Sequence, residues 1–346
     1  MIQVTIIEGF GCNEFRDYIL QNSCTFIYSE PRFLKLLAEH LGASSSWLVA
    51  RRNGEIVGLL PFLKKDGPLG PVFNSLAYYG SNGGVIQVIQ DDESKSLLVD
   101  SFYTLAAEEQ ASSATIITNP LELDSDFYDR KITYDYRDER IGLITHLPSS
   151  EDLLISRFDN PRPRNIRRAI KEGVTVAKGS TDALPFLYDI HSDNMRAIGG
   201  LAKKRSFFDA IPSTMHKDDW AVFTATLDGK PIAALLLFYF NETVEYFTPV
   251  IVETHRNTQA LALVIYEAMR DAINLGFVNW NWGGTWTSQG GVYDFKKRWG
   301  TSEYRYYYYT CIYNSDLKTC RSEYILEHYP GFFLVPFNQL INPPIT

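Results

Sequence analysis

A basic and aromatic segment near the C-terminus has the residue types needed to bind an anion. Lys296, Lys297 and Arg298 lie between Tyr293 and Trp299, and two Gly-Gly pairs precede them. Cations beside aromatic rings suit an anionic or planar ligand, and backbone without Cβ atoms can approach a ligand closely. The alternative is a hairpin whose aromatic residues are core and whose cations are solvated.

Lys296 is the main candidate for a catalytic residue. An ammonium group held between Phe295 and Trp299, beside a flexible glycine turn, can reach a phosphate or a tetrahedral oxyanion. In an extended segment Lys297 would point to the opposite face, so it should be solvated and serves as a control. The alternative is that Lys296 only packs its stem over rings while its ammonium stays in water.

An alternating run before this segment predicts a strand. The run extends from Phe277 to Trp282 and has the period of two that is typical of a strand. Asn279 and Asn281 would then share one face of the strand. We assign Asn281, Trp282 and Tyr293 to substrate binding.

A second basic group lies in the stretch PRPRNIRRAIK. If a helix begins at Pro163, then Arg164, Arg167, Arg168 and Lys171 lie on one face at spacings of three and four residues. Like charges at this spacing repel, and an anionic partner would offset that cost. We assign the three arginines to substrate binding; a solvated face, or pairing with acidic residues, is the alternative.

His255 and Arg256 precede the helix predicted at 258–275. His255 can titrate near neutrality and is a second candidate catalytic residue, as a proton acceptor. A capping or surface role is the alternative for a single histidine. Arg256 is assigned to substrate binding.

Composition argues against several classes of protein. The chain has 33 basic and 41 acidic residues, a formal charge of −8, which argues against DNA as a partner. Its four scattered cysteines indicate neither a disulfide framework nor a zinc site, so no metal is expected. The first residues do not resemble a signal peptide, and no run reaches the length of a transmembrane helix, so we expect a cytoplasmic location.

Periodic segments predict a mixed α/β chain. Strands are predicted at 2–8 and 55–63, and helices at 30–41, 182–196 and 258–275. A length of 346 residues favours two domains, which we place at 1–150 and 151–346.

An internal similarity supports duplicated units. Aligning Asn53-Gly54 with Asp228-Gly229 superimposes two predicted β-hairpins, LVARRNGEIVGLLPF and FTATLDGKPIAALLLF. In this alignment Val57 matches Ile232, and each hairpin follows a helix. Two copies fit a pair of similar α/β domains rather than a solenoid.

Three sequence segments resemble the FemAB-like branch of the GNAT superfamily. They are the opening FIYSEPRFLKLLAEHLGA, the central PRNIRRAIKEGVTV and, most specifically, FKKRWG within the pattern G-x-Y-x-F-K-x-x-W-G. The resemblance covers most of the chain. It implies tandem GNAT-like domains of mixed α/β type, and it makes Lys296 the functional position of the pattern.

The resemblance also implies an enzyme, an acyl- or aminoacyltransferase that forms an amide on a cell-envelope or polysaccharide precursor. The acceptor would be a peptide amine or a lipid- or nucleotide-linked sugar, with no permanently bound cofactor. Aminoacyl-tRNA or acyl-CoA would be the donor. The stretch 254–260 lacks the glycines of the coenzyme A loop, which favours the tRNA ester.

Two alternatives remain beside this function. One is acyl-CoA-dependent N-acylation of a nucleotide sugar or small amine. The other is a catalytically inactive binding protein with the GNAT fold. Because no Ser-His-Asp or Cys-His motif is evident, we expect direct attack by the amine rather than a covalent acyl-enzyme.

Overall fold

A computed structural model describes residues 1–77, 83–285 and 290–340. The described chain divides into two compact units. The first contains residues 1–142 and 304–340, and the second contains residues 143–285 and 290–303.

The described helices and strands run in the following order: β1 Ile2–Glu8, α1 Asn13–Ile19, α2 Pro31–Leu41, β2 Ser44–Arg52, β3 Glu55–Lys65, β4 Val72–Asn74, α3 Asp92–Glu108, β5 Ser113–Ile117, α4 Ser125–Lys131, β6 Tyr136–His146, α5 Arg162–Lys171, β7 Thr175–Gly179, α6 Leu184–Ala197, α7 Arg205–Thr214, β8 Trp220–Leu227, β9 Lys230–Phe240, β10 Thr243–Ile251, α8 Ala260–Asn274, β11 Asn279–Thr285, α9 Gly290–Lys297, β12 Thr301–Ile312 and α10 Ser322–His328.

The first unit is a sheet in the order β1-β2-β3-β4-β5-β12-β6. Strand β12 pairs antiparallel with β5, placing Tyr309 opposite Ile116. Helix α3 covers the sheet with Leu98 and Phe102, which join Tyr307 and Tyr309 in one hydrophobic core. The C-terminal strand is therefore part of this unit's core.

The second unit has the strand order β6-β11-β10-β9-β8-β7. Strand β9 is buried along nearly its whole length, and helix α8 packs on it through a continuous apolar face that includes Val264, Ile265 and Ala268. Burial on both faces explains why β9 consists of uninterrupted apolar residues after its first two positions.

The two predicted hairpins form, and they share a detail beyond their turns. Asn53 and Asp228 both adopt positive φ, as expected for the first turn residue before glycine. In each hairpin the pairing register shifts by one residue near the turn, as in a β-bulge. The extra residue on the second strand, which has no cross-strand partner, is Val57 in the first hairpin and Ile232 in the second. The alignment that matched these two residues is therefore confirmed.

The predicted domain limits differ from the compact units. The sequence placed 151–346 in one domain, whereas residues 304–340 belong to the first unit. The physical reason is the pairing of β12 with β5, a contact between distant parts of the chain that local patterns do not reveal.

Other elements of the second half were also mistaken or missed. The segment around Lys296 was expected to be extended, but it forms helix α9. Helix α7 was not predicted. Residues 286–289, part of the predicted glycine turn, lie outside the described residues.

Candidate active site

Lys296 is a buried cation. Its residue is only 8% exposed, on helix α9. The Nζ atom donates hydrogen bonds to the Gly284 carbonyl oxygen at 3.1 Å and to Thr285 Oγ1 at 3.2 Å. Burial lowers the pKa of Lys296 to about 8, while the Glu245 carboxylate opposes this shift. A lysine in this state can donate to an anion or exchange a proton near neutral pH.

The neighbouring lysine has a different environment. Lys297 is exposed, donates to Tyr293 Oη at 2.9 Å and forms an ion pair with Glu303 at 3.2 Å. Tyr293 also bonds to Glu303 through its hydroxyl. In a helix, adjacent side chains point about 100° apart, so only Lys296 faces the interior. The expected contrast between the two lysines holds, although a helix rather than an extended segment produces it.

Glu245 supplies the negative charge beside Lys296. It is buried on strand β10, and its Oε2 accepts a hydrogen bond from Asn281 Nδ2 at 2.7 Å. These two residues are directly opposite in the parallel pairing of β10 with β11. Asn281 Oδ1 in turn accepts from the Gly283 amide at 3.0 Å. Asn281 thus joins the carboxylate to the glycine end of β11.

Arg162 is a second buried cation that sequence reasoning missed. It begins helix α5, and its guanidinium lies 4.3 Å from the ring centre of Phe295 and 5.3 Å from that of Trp299. One nitrogen donates to the Phe295 carbonyl oxygen at 3.0 Å. The sequence placed the Lys296 ammonium between those rings, and the cation that the structure shows over them is Arg162. Burial lowers the pKa of Arg162, and Arg298 lowers it further.

Trp282 packs against the two aromatic residues that contact Arg162. Its ring stacks on Trp299 at a centroid distance of 5.6 Å, and its Nε1 donates to Thr145 Oγ1 at 2.9 Å. The Thr145 hydroxyl donates to the Trp299 carbonyl oxygen at 2.9 Å. The ring centre of Tyr246 lies 4.8 Å from that of Trp282. These contacts fix the Trp299 ring that packs against Arg162.

The basic face of α5 is exposed. Arg164, Arg167 and Arg168 are all solvent-accessible, while Ile166 and Ala169 are buried on the opposite side. Arg168 pairs with Glu172 at 2.8 Å. In the described part of the chain Arg164 and Arg167 have no ion-pair partner. The helix therefore presents two cations that are available to an anion.

A comparison with protein families decides what kind of domain holds this site. Residues 162–297 match the family described as an acetyltransferase (GNAT) domain. That span begins at Arg162, ends one residue after Lys296, and includes Glu245 and Asn281. The site therefore lies in a segment that matches a GNAT acetyltransferase domain, and we call this segment the GNAT domain.

Known proteins extend the comparison beyond this domain. The lipid II:glycine glycyltransferase of Staphylococcus aureus (strain MRSA252) is 26% identical over 207 residues, which is 55% of this chain and 48% of that protein. The match thus spans about half the length of this curated relative. The resemblance to FemAB-like, GNAT-type acyl- and aminoacyltransferases is confirmed.

Solved structures establish the fold. The crystal structure of FemX has a TM-score of 0.69 at 16% identity, and the match covers 85% of this chain and 94% of FemX. A tandem GNAT protein from the clavulanic acid biosynthesis pathway has a TM-score of 0.51 at 10% identity, covering 90% of this chain and 99% of that protein. The predicted α/β class with tandem GNAT-like domains is confirmed.

His255 and Arg256 lie in the GNAT domain in a short turn before α8. The Nδ1 atom of His255 lies 3.1 Å from the Thr254 hydroxyl oxygen. The main-chain carbonyl oxygen of His255 accepts a hydrogen bond from Thr258 Oγ1 at 2.7 Å. Arg256 is exposed, and its carbonyl oxygen accepts from Gln259 Nε2 at 3.0 Å. The contacts seen for Lys296 join it to β11, and those of the His255 ring stay within its own turn. A catalytic role for His255 stays a prediction.

The described residues contain neither a cluster of metal ligands nor a membrane-spanning helix. Within residues 1–77, 83–285 and 290–340, no group of three or more His, Cys, Asp or Glu side chains could hold a metal ion. Over the same residues, no helix is both long enough and apolar enough to span a bilayer.

Proposed function

We propose that this chain transfers an aminoacyl or acyl group to an amino group of a cell-envelope or polysaccharide precursor and forms an amide. The observation that carries the proposal is the buried Lys296 ammonium, held by Gly284 and Thr285 in a GNAT domain. The name of the staphylococcal relative, a lipid II:glycine glycyltransferase, supports a lipid-linked acceptor that bears an amine. The reaction takes place in the cytoplasm under this proposal.

Direct attack accounts for the chemistry. The acceptor nitrogen bonds to the carbonyl carbon of the donor ester, the ester C–O bond breaks, the nitrogen loses a proton and the leaving oxygen gains one. Negative charge develops on the carbonyl oxygen in the transition state, where an ammonium donor in a low-dielectric site is most effective. Lys296 supplies that donor, and Glu245 helps to keep it protonated. His255 is the candidate proton acceptor.

The donor favoured by the turn before α8 is an aminoacyl ester of tRNA. Coenzyme A binding in GNAT enzymes uses free backbone amides at a helix N-terminus. Here the Thr258 hydroxyl accepts from the Ala260 amide at 3.2 Å, so one of these donors is already used. Gln259 has a φ of +62°, a left-handed backbone conformation that glycine adopts at the lowest energetic cost. The exposed Arg164 and Arg167 suit the phosphates of an RNA.

A transfer assay tests the proposal. The purified protein is mixed with an amine-bearing peptidoglycan precursor and with either a mixture of aminoacyl-tRNAs or acetyl-CoA, and the products are weighed by mass spectrometry. We expect an amide product with aminoacyl-tRNA. A product formed only with acetyl-CoA would show that the donor is a coenzyme A thioester rather than a tRNA ester. Retention of the acceptor without any product would instead indicate a catalytically inactive binding protein and contradict the proposal.

A further inference from the structure

The loop between α6 and α7 exposes two large apolar side chains. Ile198 is 74% exposed and Leu201 is 63% exposed. Single exposed apolar residues are common, but these two are only three positions apart and lie on one short loop.

The backbone presents these side chains in a defined way. Gly199 has a φ of +68°, and the Gly200 amide donates to the Met195 carbonyl oxygen at 2.9 Å, which closes helix α6. At the other end of the loop the Lys203 amide donates to His191 Nε2 at 3.1 Å. His191 is buried in α6. Hydrogen bonds to α6 therefore fix both ends of the loop.

Basic side chains flank the two apolar ones. Arg196, Lys204 and Arg205 are exposed, and the Lys203 ammonium lies 5.1 Å from the Phe247 ring centre. The opposing acids are Asp193, 3.0 Å from Arg196, and Asp209, 3.5 Å from Arg205. Both are exposed pairs of the kind that contributes little and yields to competing anions. Four basic against two acidic residues leave residues 193–209 positive in a chain with a formal charge of −8.

We propose that residues 196–205 form a membrane-contact segment that docks on an anionic lipid surface. Ile198 and Leu201 enter the boundary between headgroups and acyl chains, while Lys204 and the two arginines contact anionic headgroups. Charge complementarity favours an anionic lipid surface, because the loop is positive although the chain as a whole is acidic, and its two apolar side chains can enter the boundary of the bilayer. The link to a lipid-borne acceptor rests on the function proposed above.

The loop is connected to the strand that holds the site. Lys203 packs on Phe247, which lies two residues after Glu245 on β10. Docking of this segment therefore holds the GNAT domain at the bilayer that would carry a lipid-linked acceptor.

Vesicle flotation tests the segment directly. The full chain is mixed with vesicles of equal parts phosphatidylglycerol and phosphatidylcholine, or of phosphatidylcholine alone. We expect binding to the anionic vesicles that weakens with added salt. The double variant Ile198→Ser with Leu201→Ser should bind them at least tenfold more weakly, because two largely exposed apolar side chains are lost.

A matched variant separates this segment from general surface hydrophobicity. Ile89 and Leu123, which are 81% and 70% exposed in the first unit, are changed to Ser together and should leave vesicle binding unchanged. Equal binding by the loop variant and the wild type overturns the proposal. Failure of the wild type to bind anionic vesicles also overturns it and reassigns the loop to a protein partner.

Activity assays distinguish this inference from the proposed function. With a water-soluble acceptor that lacks the lipid tail, the loop variant should retain wild-type turnover, while its turnover of a vesicle-embedded acceptor should fall. If neither acceptor reacts in the wild type but flotation still depends on Ile198 and Leu201, the proposed function fails and the membrane segment stands.

Discussion

The buried charge of Lys296 has a cost that can be measured. Its pKa is about 8 in the folded protein and near the ordinary lysine value when unfolded. Between these values the unfolded state binds more protons, so stability rises with pH. We predict that the unfolding free energy of the wild type, minus that of Lys296→Met, increases by roughly 1.4 kcal/mol per pH unit from about 8 to 10. Urea denaturation at a series of pH values measures it. A difference that does not change with pH would contradict a depressed pKa.

Glu245 should set the pH range in which Lys296 is charged. Its carboxylate favours the protonated lysine, so Glu245→Gln should lower the pKa of Lys296 further and move the alkaline loss of activity to lower pH. On the alkaline side of the profile, turnover should fall in proportion to the fraction of Lys296 that stays protonated, by up to about tenfold if the pKa drops by roughly one. Turnover measured across the alkaline pH range of both proteins gives the displacement.

The control for this variant is Glu303→Gln, which removes the acid paired with the exposed Lys297. Its pH–rate profile should match that of the wild type. Identical profiles for both glutamine variants would show that Glu245 does not act through Lys296.

The sequence reveals some of these residues more readily than others. Lys296 stands out because it lies in a specific pattern of residues. Glu245 carries a weaker signal, a single acid within the apolar strand TVEYFTPVI. Arg162 is hidden among five basic residues of one helix, and only packing selects it for burial over Phe295.

At the scale of elements, the basic face of α5 predicts that the substrate carries negative charge. Arg167→Ala should raise KM several-fold and reduce its dependence on salt, because one contact to an anionic donor is lost. Steady-state kinetics at several salt concentrations measure both effects. The control is Arg130→Ala, an exposed arginine at the end of α4. If KM and its salt dependence are unaltered in both variants, the face is a solvated surface.

Long periodic elements were predictable, and short ones were not. Helices α2 and α8 have apolar residues at helical spacing over several turns, and both lie close to their predicted limits. Helix α9 has only eight residues. Over that length the spacing of its aromatic and basic residues has no clear period, so the sequence does not distinguish a helix from an extended segment.

At the scale of the whole molecule, the first unit needs the C-terminal strand. Tyr307 and Tyr309 of β12 lie in its hydrophobic core. A fragment of residues 1–150 lacks them and should fail to fold cooperatively, whereas residues 1–142 joined by a flexible linker to 304–346 should show a cooperative thermal transition. Circular dichroism during heating compares the two. Cooperative folding of the shorter fragment would contradict this division of the chain.

This division explains why the domain limits were difficult to predict. The duplicated hairpins indicated two units correctly, because each is local in sequence. Membership of β12 depends on a pairing between Tyr309 and Ile116, and nothing in the composition of an aromatic strand specifies a partner so distant in the chain.

The central claim is that one buried ammonium group stabilises the transition state of acyl transfer. The most direct measurement compares single-turnover amide formation by Lys296→Met and Lys297→Met with that of the wild type. Loss of an oxyanion donor should slow Lys296→Met by about a hundredfold or more, with folding intact, while Lys297→Met should stay within a few-fold of the wild type. Equal rates in the two variants would contradict the claim.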